Sequence, residues 1–211
     1  MTTTPRRALL VIDVQNEYIS GNLPIDYPPV QASLACIGRA MDAAEAAGVP
    51  VIVVQHRGPA TAPLFAEGSD GWQLHASVAA RPRAHLIGKT MPSAFAGTDL
   101  ALWLSAHEID TLTVSGYMTQ NCNASTIFEA CHAGLQVEYL SDASGAVAYE
   151  NGAGAASGEE IHRSFCAVFH ARFAAVADTA AWIAAVRAGE RLPSDNIAAS
   201  NRRARAGLAA A

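Results

Sequence analysis

The sequence predicts an α/β fold, a three-layer α/β/α arrangement in which a parallel sheet carries helices on both faces. Three observations predict it. Strand-length apolar runs alternate with helix-like segments along the chain, the pattern of a parallel sheet with crossover helices. The run Ala8-Leu9-Leu10-Val11-Ile12 is apolar at every position rather than at alternate ones, as a strand buried on both faces must be. Gly48 and Gly134 stand where helix-terminating glycines belong.

The elements follow in order. The first strand is expected near 8–14, and a carboxylate, Asp13, arrives at its C-terminal end. A helical pattern covers about 30–47, and a second strand about 51–55. Residues 56–83 then read as a long irregular segment, rich in Gly and Pro at its start; loops of that length are uncommon and often line binding sites. A third strand near 85–88 ends at Lys89. Helix 98–107 leads to a fourth strand, 111–116. A tight connection, Tyr117 to Asn121, delivers the chain to a helix near 122–133 that starts at or next to Cys122. A fifth strand near 135–140, a Gly- and Ala-rich segment near 144–157, a helix near 157–169, a sixth strand near 173–176 and a helix near 178–188 complete the pattern. One domain is expected over 1–190. Residues 191–211, with Pro193, Ser194, Asp195 and Asn196, read as a C-terminal extension that is either disordered or draped on a neighbouring subunit.

Composition narrows the function classes. The chain has 211 residues, enough for one domain with a sizeable core, and 51% of them are hydrophobic. The net charge of −5 and the absence of a basic stripe argue against nucleic acid as a partner. The one basic cluster, Arg202-Arg203-Ala204-Arg205, reads as a solvated, frayed end. The four cysteines, at 36, 122, 131 and 166, include no Cys-x-x-Cys pair. Cys36, Cys131 and Cys166 fall in helix-like apolar stretches and read as small hydrophobes. No apolar signal segment follows Met1, and no run of about 20 apolar residues could span a membrane. The expected setting is reducing and cytoplasmic, without a membrane partner. Ala-rich helices with only 16% charged residues overall suggest a homo-oligomer, a dimer or tetramer.

Three residues carry the candidate chemistry. A thiol at a helix N-terminus faces converging N–H groups, which should lower the pKa of Cys122 and make a thiolate available near neutral pH. The plain alternative is a core-filling cysteine. Asp13 sits at the sheet edge where open α/β proteins bind ligands, although it could instead cap a turn. Lys89 ends an apolar run, and its plain reading is a solvated loop lysine.

The stretches Val11-Ile12-Asp13-Val14-Gln15-Asn16, Lys89 with Ser93-Ala94-Phe95-Ala96-Gly97-Thr98-Asp99-Leu100, Gly116-Tyr117-Met118-Thr119-Gln120-Asn121-Cys122, and Gly134 through Ser141-Asp142-Ala143 together resemble the isochorismatase-like cysteine hydrolase superfamily. That superfamily includes nicotinamidases, N-carbamoylsarcosine amidase and related amidohydrolases. The resemblance runs from about residue 8 to about residue 187. It implies six parallel strands in the order 3-2-1-4-5-6, which brings the ends of strands 1 and 4 together at the switch point. It implies a catalytic triad of Asp13, Lys89 and Cys122. The oxyanion would be held by the backbone N–H groups of Met118 and Cys122, with a cis peptide between Tyr117 and Met118.

Metal and cofactor are not expected. Nicotinamidases of the superfamily carry an Asp-x-His pair and a further His after the second strand. Here Val54 stands two positions before His56, and the seven histidines show no zinc-type spacing. His56 reads as a polar pocket residue, and the departure argues against nicotinamide as substrate. Among the aromatics near the crevice, Tyr18 and Trp72 are the leading substrate contacts because they lie on loops. Phe95 and Tyr117 are further candidates, and each has a core-packing alternative. The leading reading is a metal-independent cysteine amidohydrolase of a small amide, carbamoyl or lactam-like substrate, working through a thioester. The alternatives are a vinyl ether hydrolase of the isochorismatase type, which needs no thiol nucleophile, and a non-catalytic binding protein on the same fold.

Overall fold

β1 (Arg7–Ile12) lies inside a six-stranded sheet and is buried at all six positions. The computed structural model describes residues 4–209. β1 pairs in parallel with β2 (Val51–His56) on one side and with β4 (Thr111–Tyr117) on the other. β3 (His85–Lys89) extends the sheet beyond β2, while β5 (Gln136–Gly145) and β8 (Ala175–Ala177) extend it beyond β4. The order is β3-β2-β1-β4-β5-β8, all parallel, as expected. The sixth strand is the eighth in chain order because a hairpin, β6 (Tyr149–Asn151) with β7 (Gly154–Ala156), precedes it.

Successive side chains of a strand point to opposite faces, so the uninterrupted apolar run of β1 feeds two cores. Leu9 and Val11 pack with Leu34, Ile37 and Met41 of α1 (Val30–Ala46) and with Trp182 of α6 (Thr179–Ala188). Leu10 and Ile12 pack with Leu100 and Leu104 of α3 (Leu100–Ala106) and Ile127 of α4 (Ala124–His132). At the far end of the sheet Glu138 accepts hydrogen bonds from Arg7, Thr113 and Trp182, tying β1, β4, β5 and α6 around one buried carboxylate. Each bond satisfies a group that burial would otherwise leave costly.

Several boundaries differ from the sequence expectation. β1 stops at Ile12, because Asp13 turns the chain out of the sheet with φ +51°. Cys122 does not open an α-helix. It lies in a π-turn, Thr119–Asn123, and α4 begins after it at Ala124. β5 runs five residues further than expected and pairs with β4 across a register shift between Val114 and Gly116. Gly116 has φ +98°, and a Cβ there would stand 2.1 Å from the Ile12 carbonyl oxygen. Only glycine lets β4 approach the end of β1 this closely.

In the 56–83 segment His56 belongs to β2, one short helix, α2 (Ala76–Ala79), follows, and the rest is irregular apart from isolated bridges at Gly58–Ala66 and Gln15–Leu74. α5 (Gly158–Val168) starts at a capping box made by Ser157 and Glu160. The 191–211 segment also holds structure. It forms α7 (Ile197–Ala209), and its last two residues lie outside the described part. No helix among the described residues is long and apolar enough to cross a membrane.

Candidate active site

Asp13, Lys89 and Cys122 meet at the carboxyl edge of the sheet. Asp13 follows β1 and is anchored by its own backbone N–H, which donates to the Val54 carbonyl at 2.9 Å. Lys89 is the last residue of β3, in register with His56 of β2. Two strand spacings, roughly 10 Å, separate β3 from β1, a gap that needs a long side chain from one strand and a carboxylate from the other. The stem of Lys89 crosses it over β2. Its ammonium lies 2.6 Å from Asp13 Oδ2, with both side chains excluded from solvent. It also donates to Cys122 Sγ at 3.2 Å and stands 3.3 Å from His56 Nδ1. Three N–H donors therefore find three neighbours.

The electrostatics follow from that packing. Burial works to lower the Lys89 pKa, but the Asp13 charge and Cys122 outweigh it, so the net direction is up and the ammonium is retained. Burial and then the Lys89 charge push His56 down, so its imidazole is neutral and can accept from Lys89. Cys122 departs from expectation. Burial, reinforced by the facing Asp13 charge and only partly opposed by Lys89, pushes its thiol up to about 12. The expected lowering at a helix start fails for two reasons: the residue is 4% exposed, and a carboxylate faces it. The resting site is a thiol beside a carboxylate–ammonium pair.

A cavity of about 730 Å³ opens onto Cys122. Its walls include Tyr18, Leu23, Leu64, Phe65, His56 and Met118. Tyr18, 2% exposed, packs against Phe65 with ring centroids 5.1 Å apart and against Tyr117 at 5.6 Å. The peptide between Tyr117 and Met118 is cis. Two buried side chains beside Asp13 shape the wall. Gln15 clasps His56 through both of its backbone groups and also donates to the Trp72 carbonyl. Glu17 accepts from Asn22 N–H at 2.6 Å and from Phe65 N–H at 3.4 Å, fastening the long loop to the turn after β1.

The structure brings Tyr18 and His56 to the cavity and leaves three other candidates out of its wall. Trp72 sits behind Gln15, where its carbonyl accepts from Gln15 and Gln55. Phe95 packs against the core on the α3 and α4 side. Tyr117 is wholly buried beneath Tyr18, its hydroxyl 2.6 Å from Ser33 Oγ. Its place at the end of a buried strand turns the ring into the core. Phe65, on the long loop after β2, also lines the cavity. Arg57, also at the cavity, carried no local signal. Among the described residues, no group of three or more His, Cys, Asp or Glu side chains has metal-holding geometry.

Comparison with known proteins agrees with the fold. The family model described as "Isochorismatase domain" matches residues 7–181. A crystal structure of a Burkholderia xenovorans protein classed as an isochorismatase is 64% identical, covers 98% of this chain and 100% of that one, and superposes with a TM-score of 0.97. A ureidoacrylate amidohydrolase from Methylobacterium radiotolerans is 29% identical over 88% of this chain and 81% of its own length. A streptothricin hydrolase from Streptomyces noursei is 34% identical over 66% of this chain, which spans 54% of that relative.

Proposed function

The chain belongs to the isochorismatase family, whose members are hydrolases with amidases among them, and from that premise we propose that it is a metal-independent cysteine amidohydrolase of a small amide, carbamoyl or lactam-like substrate. The observation that carries the reading is the buried Asp13–Lys89 pair, with Lys89 bonded to Cys122 and Cys122 lining the cavity.

With the thiol protonated at rest, attack is coupled to proton transfer. The Cys122 proton passes to Asp13 as sulfur bonds the substrate carbonyl carbon. The resulting oxyanion is met by the N–H groups of Met118 and Cys122. Collapse breaks the C–N bond, and Asp13 returns the proton to the departing nitrogen. Water, deprotonated by Asp13, then cleaves the thioester and restores the thiol. Lys89 holds the carboxylate against the thiol and keeps a positive charge beside the developing thiolate. His56, neutral and clasped by Gln15, steadies Lys89 rather than binding an ion. The apolar part of the wall, with Leu23, Leu64 and Phe65, suits an acyl or ring portion, while Arg57 and Glu67 offer charged groups to a polar substituent. Four unpaired thiols suit a reducing, cytoplasmic setting.

The test is release of ammonia or amine over a panel of primary amides, carbamoyl compounds and lactams, with wild type and Cys122→Ala. Turnover of at least one class by wild type is expected, with a loss of about a thousandfold or more in Cys122→Ala and an unchanged far-ultraviolet spectrum. A Cys122→Ala protein with near wild-type rate sinks the nucleophile. Activity lost to a chelator and restored by one metal sinks the metal-independent mechanism.

A further inference from the structure

α7 is left almost bare by its own chain. Every residue from Asn201 to Leu208 is exposed. Ile197 and Leu208 are 60% and 80% exposed. The attachment is confined to the start of the helix. Ala199 and Ser200 are half-buried, the Asp195 N–H donates to the His170 carbonyl at 3.2 Å, and Asp195 pairs with Arg203. A helix of this length is marginal in water unless one of its faces is packed.

The pose is nevertheless shared. α7 has 13 residues, about 6% of the chain. A superposition with a TM-score of 0.97 over 98% of the chain leaves no room for a displaced α7, so the Burkholderia protein holds the corresponding helix in the same place. The parent subunit holds only the start of the helix and Arg203, and leaves its outer length uncovered.

Charge names the occupant. α7 carries Arg202, Arg203 and Arg205 and no acidic residue, whereas the rest of the chain has 11 basic and 19 acidic residues, a balance of −8. A basic arm and an acidic body in one chain are complementary between copies. We infer that α7 is an intersubunit arm: it lies on the acidic surface of a second copy of this chain, its exposed Leu208 in the contact, and the second copy returns the same contact by two-fold symmetry.

Sedimentation equilibrium of the full chain tests this. Wild type is expected to run as a dimer or a larger even assembly. The charge reversal Arg202→Glu/Arg203→Glu/Arg205→Glu should weaken association by about tenfold or more, and added salt should weaken wild type in the same direction. Leu208→Glu, which keeps all three arginines, should also weaken it. A wild type that stays monomeric at every concentration overturns the proposal, as does an assembly that neither variant disturbs. Amide hydrogen exchange of wild type needs no variant. Residues 201–208 should exchange slowly at high protein concentration and quickly at low; fast exchange at both overturns the arm.

Discussion

Lys89 Nζ lies 2.6 Å from Asp13 Oδ2, and neither side chain is reached by solvent. This pair is the fixed point of the site. A buried carboxylate and a buried ammonium are each tolerable only in the presence of the other. Holding them together places a proton acceptor and a positive charge against the same thiol.

Asp13→Asn should separate reactivity from turnover. The amide cannot exchange the proton, so kcat should fall by about 10²–10⁴. After burial, the Asp13 charge is the next cause of the raised Cys122 pKa, so removing it should lower that pKa. Alkylation of Cys122 by iodoacetamide at neutral pH, followed by peptide mapping, should then be faster in the variant than in wild type. Slower alkylation in Asp13→Asn would show that the carboxylate does not hold the thiol protonated.

Lys89→Met removes the ammonium and leaves the Asp13 charge buried without a partner. Urea unfolding at pH 7 should show a loss of about 3–5 kcal/mol, alongside loss of activity. The double variant Asp13→Asn/Lys89→Met should recover much of the stability and none of the turnover. Equal destabilisation in the single and double variants would mean that the cost lies in packing and not in charge.

Tyr18→Phe should act on binding rather than on the fold. Burial above all pushes the Tyr18 phenol well up, so its hydroxyl stays protonated, and Tyr18 lines the same cavity as Cys122. Loss of one hydrogen bond to substrate should raise KM about threefold to tenfold, with the thermal midpoint within a degree or two of wild type. A KM unchanged across every substrate turned over would remove Tyr18 from the substrate contacts.

His162 should make the fold acid-sensitive. Its ring is 5% exposed, 2.8 Å from Thr119 Oγ1, and burial pushes its pKa down to about 4. The unfolded chain takes up this proton near pH 6.5 and the folded chain only near 4. Stability is therefore complete above about 6.5 and declines as pH falls between the two values. At pH 5 the loss is about 2 kcal/mol relative to pH 7. Urea midpoints should show it in wild type, and His162→Gln should remove that part of the slope. The same slope in both proteins would assign the acid sensitivity to other groups.

The sequence by itself determined the sheet and the place of its working edge. An apolar run such as Ala8–Ile12 reads as a strand covered on both faces, and the strand order that the resemblance implies put Asp13 and Cys122 at the ends of neighbouring strands. The elements themselves are encoded locally, in periodicity and in the residues that punctuate them; their order in the sheet came only through the resemblance. What the tertiary structure alone decided is non-local. The reach of Lys89 to Asp13 depends on β3 lying two strands away at one register. The Cys122 thiol is raised rather than lowered because tertiary packing buries it and brings the Asp13 carboxylate against it. Trp72 stood level with Tyr18 as a candidate, with Phe95 and Tyr117 behind them, but a ring faces a cavity or a core according to what packs behind it. α7 gave no sign beyond a basic cluster, since a helix that makes almost no contacts within its own chain leaves no buried stripe to read.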